Sequence, residues 1–276
     1  MGILVLNAAA VLLTVVFLYI FFIERFIIRV NYYKIPVPRL PEAFAGFRMV
    51  QLSDLHYGPL QPLLTAKYAV WRANRLNGDI VVCTGDYVLE TNSHKRIDRI
   101  WPVLARLHAP EGVYSVLGNH DHWADTARSI EWLDQTGQNL RGRKKVFERS
   151  GEKLWLAGGG DLWEDHMDFD ELLSGIPENE CRIVLAHNPD SADTAFNQRI
   201  DLMIAGHTHG GQFVLPLFGP PSNPVENKIY TSGLKNSKSG GRVFISKGIG
   251  WGTVPVRLAC FPEIAVLELF PDDASD

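Results

Sequence analysis

The chain has 276 residues, 46% hydrophobic and 21% charged, which is ample material for a packed core and allows one large domain or two small ones. Twenty-seven Lys and Arg against 31 Asp and Glu leave a net charge of −4, which argues against a general nucleic-acid binder, because such surfaces are basic. A phosphorylated substrate is not excluded, since bound metal ions invert the local charge. The three cysteines, Cys83, Cys181 and Cys260, show no tight spacing. They suggest neither a disulfide framework nor a zinc motif, and they fit a reducing compartment.

The first segment is not globular. Ile3 to Ile23 carries no charge, and its only clearly polar side chains are Asn7 and Thr14. A run of roughly 20 such residues is long enough to cross a bilayer as a helix. A cleavable signal would have a basic start and a small-residue cleavage site. Here no Lys or Arg precedes the run, and Phe21-Phe22-Ile23-Glu24-Arg25 follows it. Residues 1–24 therefore read as an uncleaved anchor. Arg25, Arg29, Lys34 and Arg39 all come after it, so the positive-inside tendency puts the rest of the chain on the cytoplasmic face of a cell inner membrane. Residues 25–45, with Ile35-Pro36-Val37-Pro38-Arg39-Leu40-Pro41, read as a Pro-rich linker. Within it, Phe26 to Tyr33 either pairs with a sheet or lies at headgroup depth, and the sequence leaves both open.

A globular domain is expected over residues 46–270. Arg48 to Ser53 reads as a strand ending in Asp54-Leu55-His56. A helix follows, with Leu60, Leu64, Tyr68 and Trp71 at helical spacing, closing at Asn77-Gly78. Asp79 to Thr84 is a second strand, ending in Gly85-Asp86. A second helix runs through Ile97, Ile100, Leu104 and Leu107, and Val113 to Leu117 is a third strand, ending in Gly118-Asn119-His120-Asp121. This alternation predicts a layered α/β sheet with right-handed crossovers.

After a helix around Ile130-Glu131-Trp132-Leu133 comes a basic patch, Arg141 to Lys145, read as a solvated turn in preference to an anion contact. Val146 to Arg149 and Lys153 to Ala157 read as a hairpin, and Gly158-Gly159-Gly160-Asp161 resembles another strand end. Arg182 to Ala186 ends in His187-Asn188-Pro189-Asp190, and Leu202 to Ala205 ends in Gly206-His207-Thr208-His209. Short strands at 243–246 and 264–269 complete a second sheet. The acidic tail, 271–276, is expected to be disordered.

Asp54, His56, Asp86, Asn119, His120, His187, His207 and His209 thus all stand at strand ends, where open α/β sheets bind ligands. Oxygen and imidazole donors without a competing thiolate suit Mn²⁺, Fe or Zn²⁺. Asp54 and His56 alternate by two, as do His207 and His209, so an extended backbone would turn each pair to one side. Asp121 is placed to hold the ring of His120 in one tautomer.

These blocks, Asp54-Leu55-His56, Gly85-Asp86, Gly118-Asn119-His120-Asp121, His187 and Gly206-His207-Thr208-His209, resemble the five motif blocks of the calcineurin-like metallophosphoesterases, in the family's order. The resemblance implies a four-layer α/β/β/α sandwich of two mixed sheets. It implies a centre for two divalent ions (Mn²⁺, Zn²⁺ or Fe). Asp54, His56, Asp86 and His209 would hold one ion and Asp86, Asn119, His187 and His207 the other, with His120 and Asp121 catalytic. The anchor, the Gly-Gly-Gln after His209 and the segments 230–234 and 246–250 resemble a branch of membrane-anchored bacterial phosphodiesterases. That branch is similar to enzymes that cleave UDP-2,3-diacylglucosamine in lipid A synthesis. The better-known pyrophosphatases of that pathway carry Arg where this chain has His120.

The resemblance implies hydrolysis of a phosphoester at a membrane surface. A lipid-linked substrate is favoured, because an anchored domain meets lipid phosphates at raised effective concentration. Leu215, Leu217, Phe218, Trp251 and Val254 follow the metal motifs and are candidates for an apolar rim around acyl chains. The competing function is a binding module whose metals are structural or absent.

Overall fold

The computed structural model describes residues 2–272. Its first element, α1 (Gly2–Phe22), is apolar all round, and only Ile20 in it is buried. A helix hydrophobic on every face belongs in a membrane or deep inside a protein, and this one is not inside. It is long and apolar enough to span a bilayer.

Two sheets form the domain. The first contains β1 (Arg29–Val37), β11 (Glu263–Pro271), β2 (Arg48–Leu52), β3 (Ile80–Cys83) and β4 (Val113–Ser115), in the order β1-β11-β2-β3-β4. The second contains β5 (Lys144–Arg149), β6 (Glu152–Gly160), β7 (Cys181–Ala186), β8 (Leu202–Ala205), β10 (Arg242–Ile245) and β9 (Gly233–Asn236), in the order β5-β6-β7-β8-β10-β9. Both are mixed: β2, β3 and β4 run parallel, as do β6, β7, β8 and β10, while β11 is antiparallel to β2 and β9 to β10.

Strand alternation explains the layers. Val81 and Cys83 face α2 (Leu63–Ala73), α3 (His94–Leu104) and α4 (Asn119–Gln135). Ile80 and Val82 face the second sheet, meeting Leu154, Ile183, Leu202 and Phe244. Val184, Met203 and Val243 face outward against Phe169 and Leu173 of α5 (Phe169–Leu173). The four layers are as expected, with a thin outer layer on the second sheet. All three cysteines are free and buried.

Five expectations need correction. The strand expected over 264–269 in the second sheet is β11, which lies in the first sheet between β1 and β2. The segment 25–45 is not a linker: β1 lies within it and pairs along its whole length with β11. As β1 is an edge strand, the missing N–H of Pro36 breaks no second ladder. The expected stripe is exposed: Leu60 precedes α2, and Leu64, Tyr68 and Trp71 lie on its outer face, while the buried face is Ala66, Ala69, Val70 and Ala73, small residues that let the helix approach the sheet closely. The helix near Ile130 begins at Asn119, so the strand-end tetrapeptide forms its first turn; Asp125, extended at φ −178°, kinks it. The tail expected over 271–276 begins ordered: Pro271 closes β11 and Asp272 pairs with Arg242. Its remaining residues, 273–276, lie outside the described residues.

Candidate metal centre

The carboxyl ends of β2, β3, β7 and β8 and the start of α4 meet at one edge of the two sheets. Gln51, fully buried, ties the sheets together there: its Nε2 donates to Thr84 Oγ1 at 3.0 Å and to the Ala205 carbonyl at 2.9 Å. The side chains converge through left-handed backbone rather than strand alternation. Asp54 (φ 52°), His56 (48°), Asp86 (58°), His207 (69°) and His209 (52°) all adopt it. Non-glycine residues held there are strained, and such strain concentrates at functional sites. The extended-chain account of the Asp54/His56 and His207/His209 pairs is therefore replaced.

Potential ligand atoms of Asp54, His56 and His209 lie within 4.8 Å of one another, and so do those of Asp86, His187 and His207. A third overlapping set joins His56, Asp86 and His120. Asp86 Oδ2 stands between the first two, 3.3 Å from His56 Nε2 and 3.2 Å from His187 Nε2. His209 Nε2 is 3.1 Å from His56 Nε2, and His207 Nδ1 is 3.1 Å from His187 Nε2.

Two imidazole nitrogens face each other in each pair, an arrangement a shared cation would relieve. Asn119 is buried, and its Oδ1 has no hydrogen-bond partner among the described residues. An orphaned buried carbonyl beside facing imidazoles and carboxylates is a donor set for hard or borderline divalent ions. The residues fit a centre for two of them.

Backbone carbonyls fix two of the rings. A carbonyl only accepts, so His187 Nδ1–H donates to Thr84 O at 2.7 Å and leaves Nε2 open toward Asp86. His207 Nε2–H donates to Pro224 O at 3.1 Å and leaves Nδ1 open. This is how metal-binding imidazoles are held.

Burial and mutual charge set the protonation of the metal-free cluster. Burial pushes the Asp54 carboxyl up, with the neighbouring Asp86 adding to it. Burial also acts on Asp86, but His187 and His56 beside it outweigh that and hold its carboxyl well below the usual range. His187 is raised well above its ordinary value, because Asp86 overcomes the cost of burial. Burial, then His187, lowers His207 to about 3. Burial, His56 and Arg257 push His209 well below its usual value.

Asp121 does not hold the ring of His120. Its carboxylate accepts the backbone N–H of Asp86 at 2.7 Å, Tyr87 at 2.8 Å and Gly118 at 3.0 Å. It is a brace that fixes the loop carrying Asp86. His120 Nδ1 instead meets the Leu89 carbonyl at 2.8 Å, and its ring packs against His56 on one side and Trp123 on the other, both at 4.7 Å between centroids.

A family model for the calcineurin-like phosphoesterases matches residues 47–211. The chain belongs to that family. It is 30% identical over 251 residues to YkuE of Bacillus subtilis, an uncharacterized metallophosphoesterase, covering 90% of this chain and 87% of YkuE. It is 34% identical over 232 residues to the phosphodiesterase YaeI of Escherichia coli, covering 82% of this chain and 83% of YaeI. It is 26% identical over 287 residues to the UDP-2,3-diacylglucosamine pyrophosphatase LpxG of Chlamydia trachomatis, covering 83% and 86%. The phosphoesterase is a metal-dependent phosphoester hydrolase, and its residues form a site for two divalent ions.

Sequence reasoning missed several parts of this phosphoesterase's site. Arg257, fully buried, donates to the carbonyls of Lys247, Gly250 and Cys260 directly behind His209. No motif marks it. Asp161 directly follows β6, is buried, and keeps Oδ1 unpartnered; the glycine run marked it as a strand end, but it was left out of the donor set. Trp163 packs edge-on against His207 at 4.8 Å, and Trp123 donates to Glu164 at 2.7 Å. Of the expected apolar rim, Trp251 is buried, while Leu215, Leu217, Phe218 and Val254 are exposed. Three members of the basic patch are satisfied within the fold: Arg141 pairs with Asp165, Arg143 with Asp134, and Lys144 with the carbonyls of Leu172 and Ser174 at the end of α5.

Proposed function

We propose that the phosphoesterase cleaves a phosphodiester or pyrophosphate bond in a lipid-linked substrate at the cytoplasmic face of the membrane. The observation that carries the chemistry is the Asp86 carboxylate, buried and shared between two sets of imidazole and carboxylate donors. Asp54, His56, Asp86 and His209 would hold one ion, and Asp86, Asn119, His187 and His207 the other. When bound, the pair supplies an activated water at neutral pH and neutralises charge on the phosphate.

The chain's own groups do the rest. With Nδ1–H given to Leu89 O, His120 presents Nε2 toward the site. A protonated His120 hands that proton to the departing alkoxide, which would otherwise leave as a strong base. Trp123 packs against the ring of His120 and helps to hold its orientation. Asp121 keeps Asp86 in place through the loop amides.

The apolar helix and the relationship to LpxG support a lipid-linked substrate, with UDP-2,3-diacylglucosamine as the specific alternative to a phospholipid. The basic residues after the helix support the cytoplasmic orientation.

The test uses the full chain in vesicles with Mn²⁺, assayed on a generic nitrophenyl diester, on phospholipids and on UDP-2,3-diacylglucosamine. Turnover abolished by chelator is expected, with a lipid substrate preferred. A folded, metal-loaded chain that turns over none of them would overturn the hydrolase reading in favour of a binding module. Orientation is checked separately: the domain should be digested by external protease in inverted vesicles and protected in right-side-out ones.

A further inference from the structure

The two edges of the sheets differ sharply in what they expose. At the metal-bearing edge, Leu60, Leu64, Leu217, Phe218 and Val254 are exposed, with Leu217 fully so at 101% and Phe218 at 85%. At the opposite edge, among the described residues, no large apolar side chain is exposed in the connections 38–47, 74–79, 105–112, 150–151, 174–180, 197–201 and 237–241. Scattered exposed apolar residues need no explanation, but a one-sided concentration does.

The apolar helix leaves the domain at the same edge. β1 begins where β2 ends, since β1 is parallel to β11 and β11 is antiparallel to β2. A short ladder of hydrogen bonds then leads from the helix to the exposed loop. Arg257 N–H donates to the Ile20 carbonyl at 3.3 Å, and Cys260 N–H donates to Glu24 Oε1 at 2.9 Å. The same segment pairs with the next: Leu258 N–H donates to Gln212 O at 3.1 Å, and Val214 N–H to Leu258 O at 2.9 Å. At the next residue the chain folds back on itself, Leu215 bridging Gly219, with Leu217 and Phe218 at the tip.

We infer that the loop 215–218 is a second membrane contact, inserting Leu217 and Phe218 into the bilayer that α1 enters, so that the metal centre faces the lipid surface. This rests on reading α1 as a membrane span. A single helix leaves a domain free to pivot; a second apolar contact beside it fixes the tilt. Apolar tips of this kind sit at the boundary between headgroups and acyl chains. Only Gln212, Phe213 and Val214 separate the His209-Gly210-Gly211 turn from the loop, so membrane seating and the metal centre share one stretch of chain. A phosphate at headgroup depth then reaches the centre without leaving the bilayer.

The experiment uses the full chain in vesicles of phosphatidylcholine and phosphatidylglycerol. Because the native cysteines are buried, an environment-sensitive fluorophore can be attached at Leu217→Cys, at Ser239→Cys in the exposed loop of the opposite edge, or at Leu12→Cys in α1. Spin-labelled lipids are the quencher. The Leu217→Cys label should be blue-shifted and quenched several-fold more than the Ser239→Cys label. Equal, weak quenching at Leu217→Cys and Ser239→Cys, with strong quenching at Leu12→Cys, would remove the second contact and leave the anchor standing. Absence of quenching at Leu12→Cys would remove the anchor and the inference together.

Discussion

A Cβ on Gly118 would stand 2.3 Å from Asp86 Oδ1 and 2.7 Å from His187 Nδ1. The carboxylate that joins the two halves of the metal centre is thus seated against bare backbone. Gly206 does the same for Asp54, where a Cβ would lie 2.4 Å from Oδ2.

Gly118→Ala is therefore expected to displace Asp86 while leaving most of the core intact. A misplacement of about 1 Å in such a site costs on the order of 10²-fold in rate. Metal analysis should show the bound complement falling below two per chain. Retention of two ions with undiminished turnover would contradict the packing argument.

Metal binding should release protons. In the metal-free chain His187 is raised well above its ordinary value by Asp86, so it is protonated at neutral pH, and Asp54 is raised by burial. His187 must give up that proton to bind an ion. Affinity should accordingly climb with pH and level off once pH passes the raised His187 value. Titration of Mn²⁺ into a weakly buffered solution at pH 7 measures this directly; no acidification would show that the cluster is already deprotonated.

His120 and Asp121 should separate by phenotype. His120→Asn removes the proton donor, so it should slow alkoxide leaving groups by roughly 10²–10⁴-fold while sparing nitrophenolate. Asp121→Asn should act on stability instead. Its new amide would face the N–H groups of Asp86 and Gly118, donor against donor, costing about 1–3 kcal/mol. Asp121 is raised to about 7 by burial, then by Asp86. A carboxyl raised on folding stabilises the fold most at low pH, and that contribution fades as pH rises through about 7. The wild type should lose this increment between pH 4 and 8 and Asp121→Asn should not, as thermal melts across that range would show.

Arg257→Met should destabilise the domain more than any exposed Arg change. It would orphan the carbonyls of Lys247, Gly250 and Cys260 in a dry site, at roughly 1–3 kcal/mol each before relaxation. For a domain of this size, each kcal/mol lowers Tm by about 2–4 °C. Since the carbonyls lie behind His209, the ion beside Asp54 and His56 should also be held more weakly. An unchanged Tm with full metal content would show that water replaces the guanidinium.

Much of the site was legible because its chemistry is conspicuous. Imidazoles and carboxylates at the ends of apolar strands have no place in a core. The helices and most strands were legible from periodicity, but periodicity does not say which face is inside. In α2 the larger apolar residues point outward, because the small face of Ala66, Ala69 and Ala73 packs more closely on the sheet. The pairing of β1 was left open, and its second half was masked by Pro36, a residue that reads as linker until an edge position makes it harmless.

The amino-acid sequence by itself determined the donor set, the two layers of strands and the apolar first helix, since each is a property of side-chain type and local order. Only the tertiary structure decided which atoms meet. His209 faces His56 across 153 residues of chain, and Asp121 turns to backbone amides rather than to the imidazole beside it. Such pairings are set by how two sheets stack and by left-handed turns that local pattern does not encode, which is why they became visible only in three dimensions.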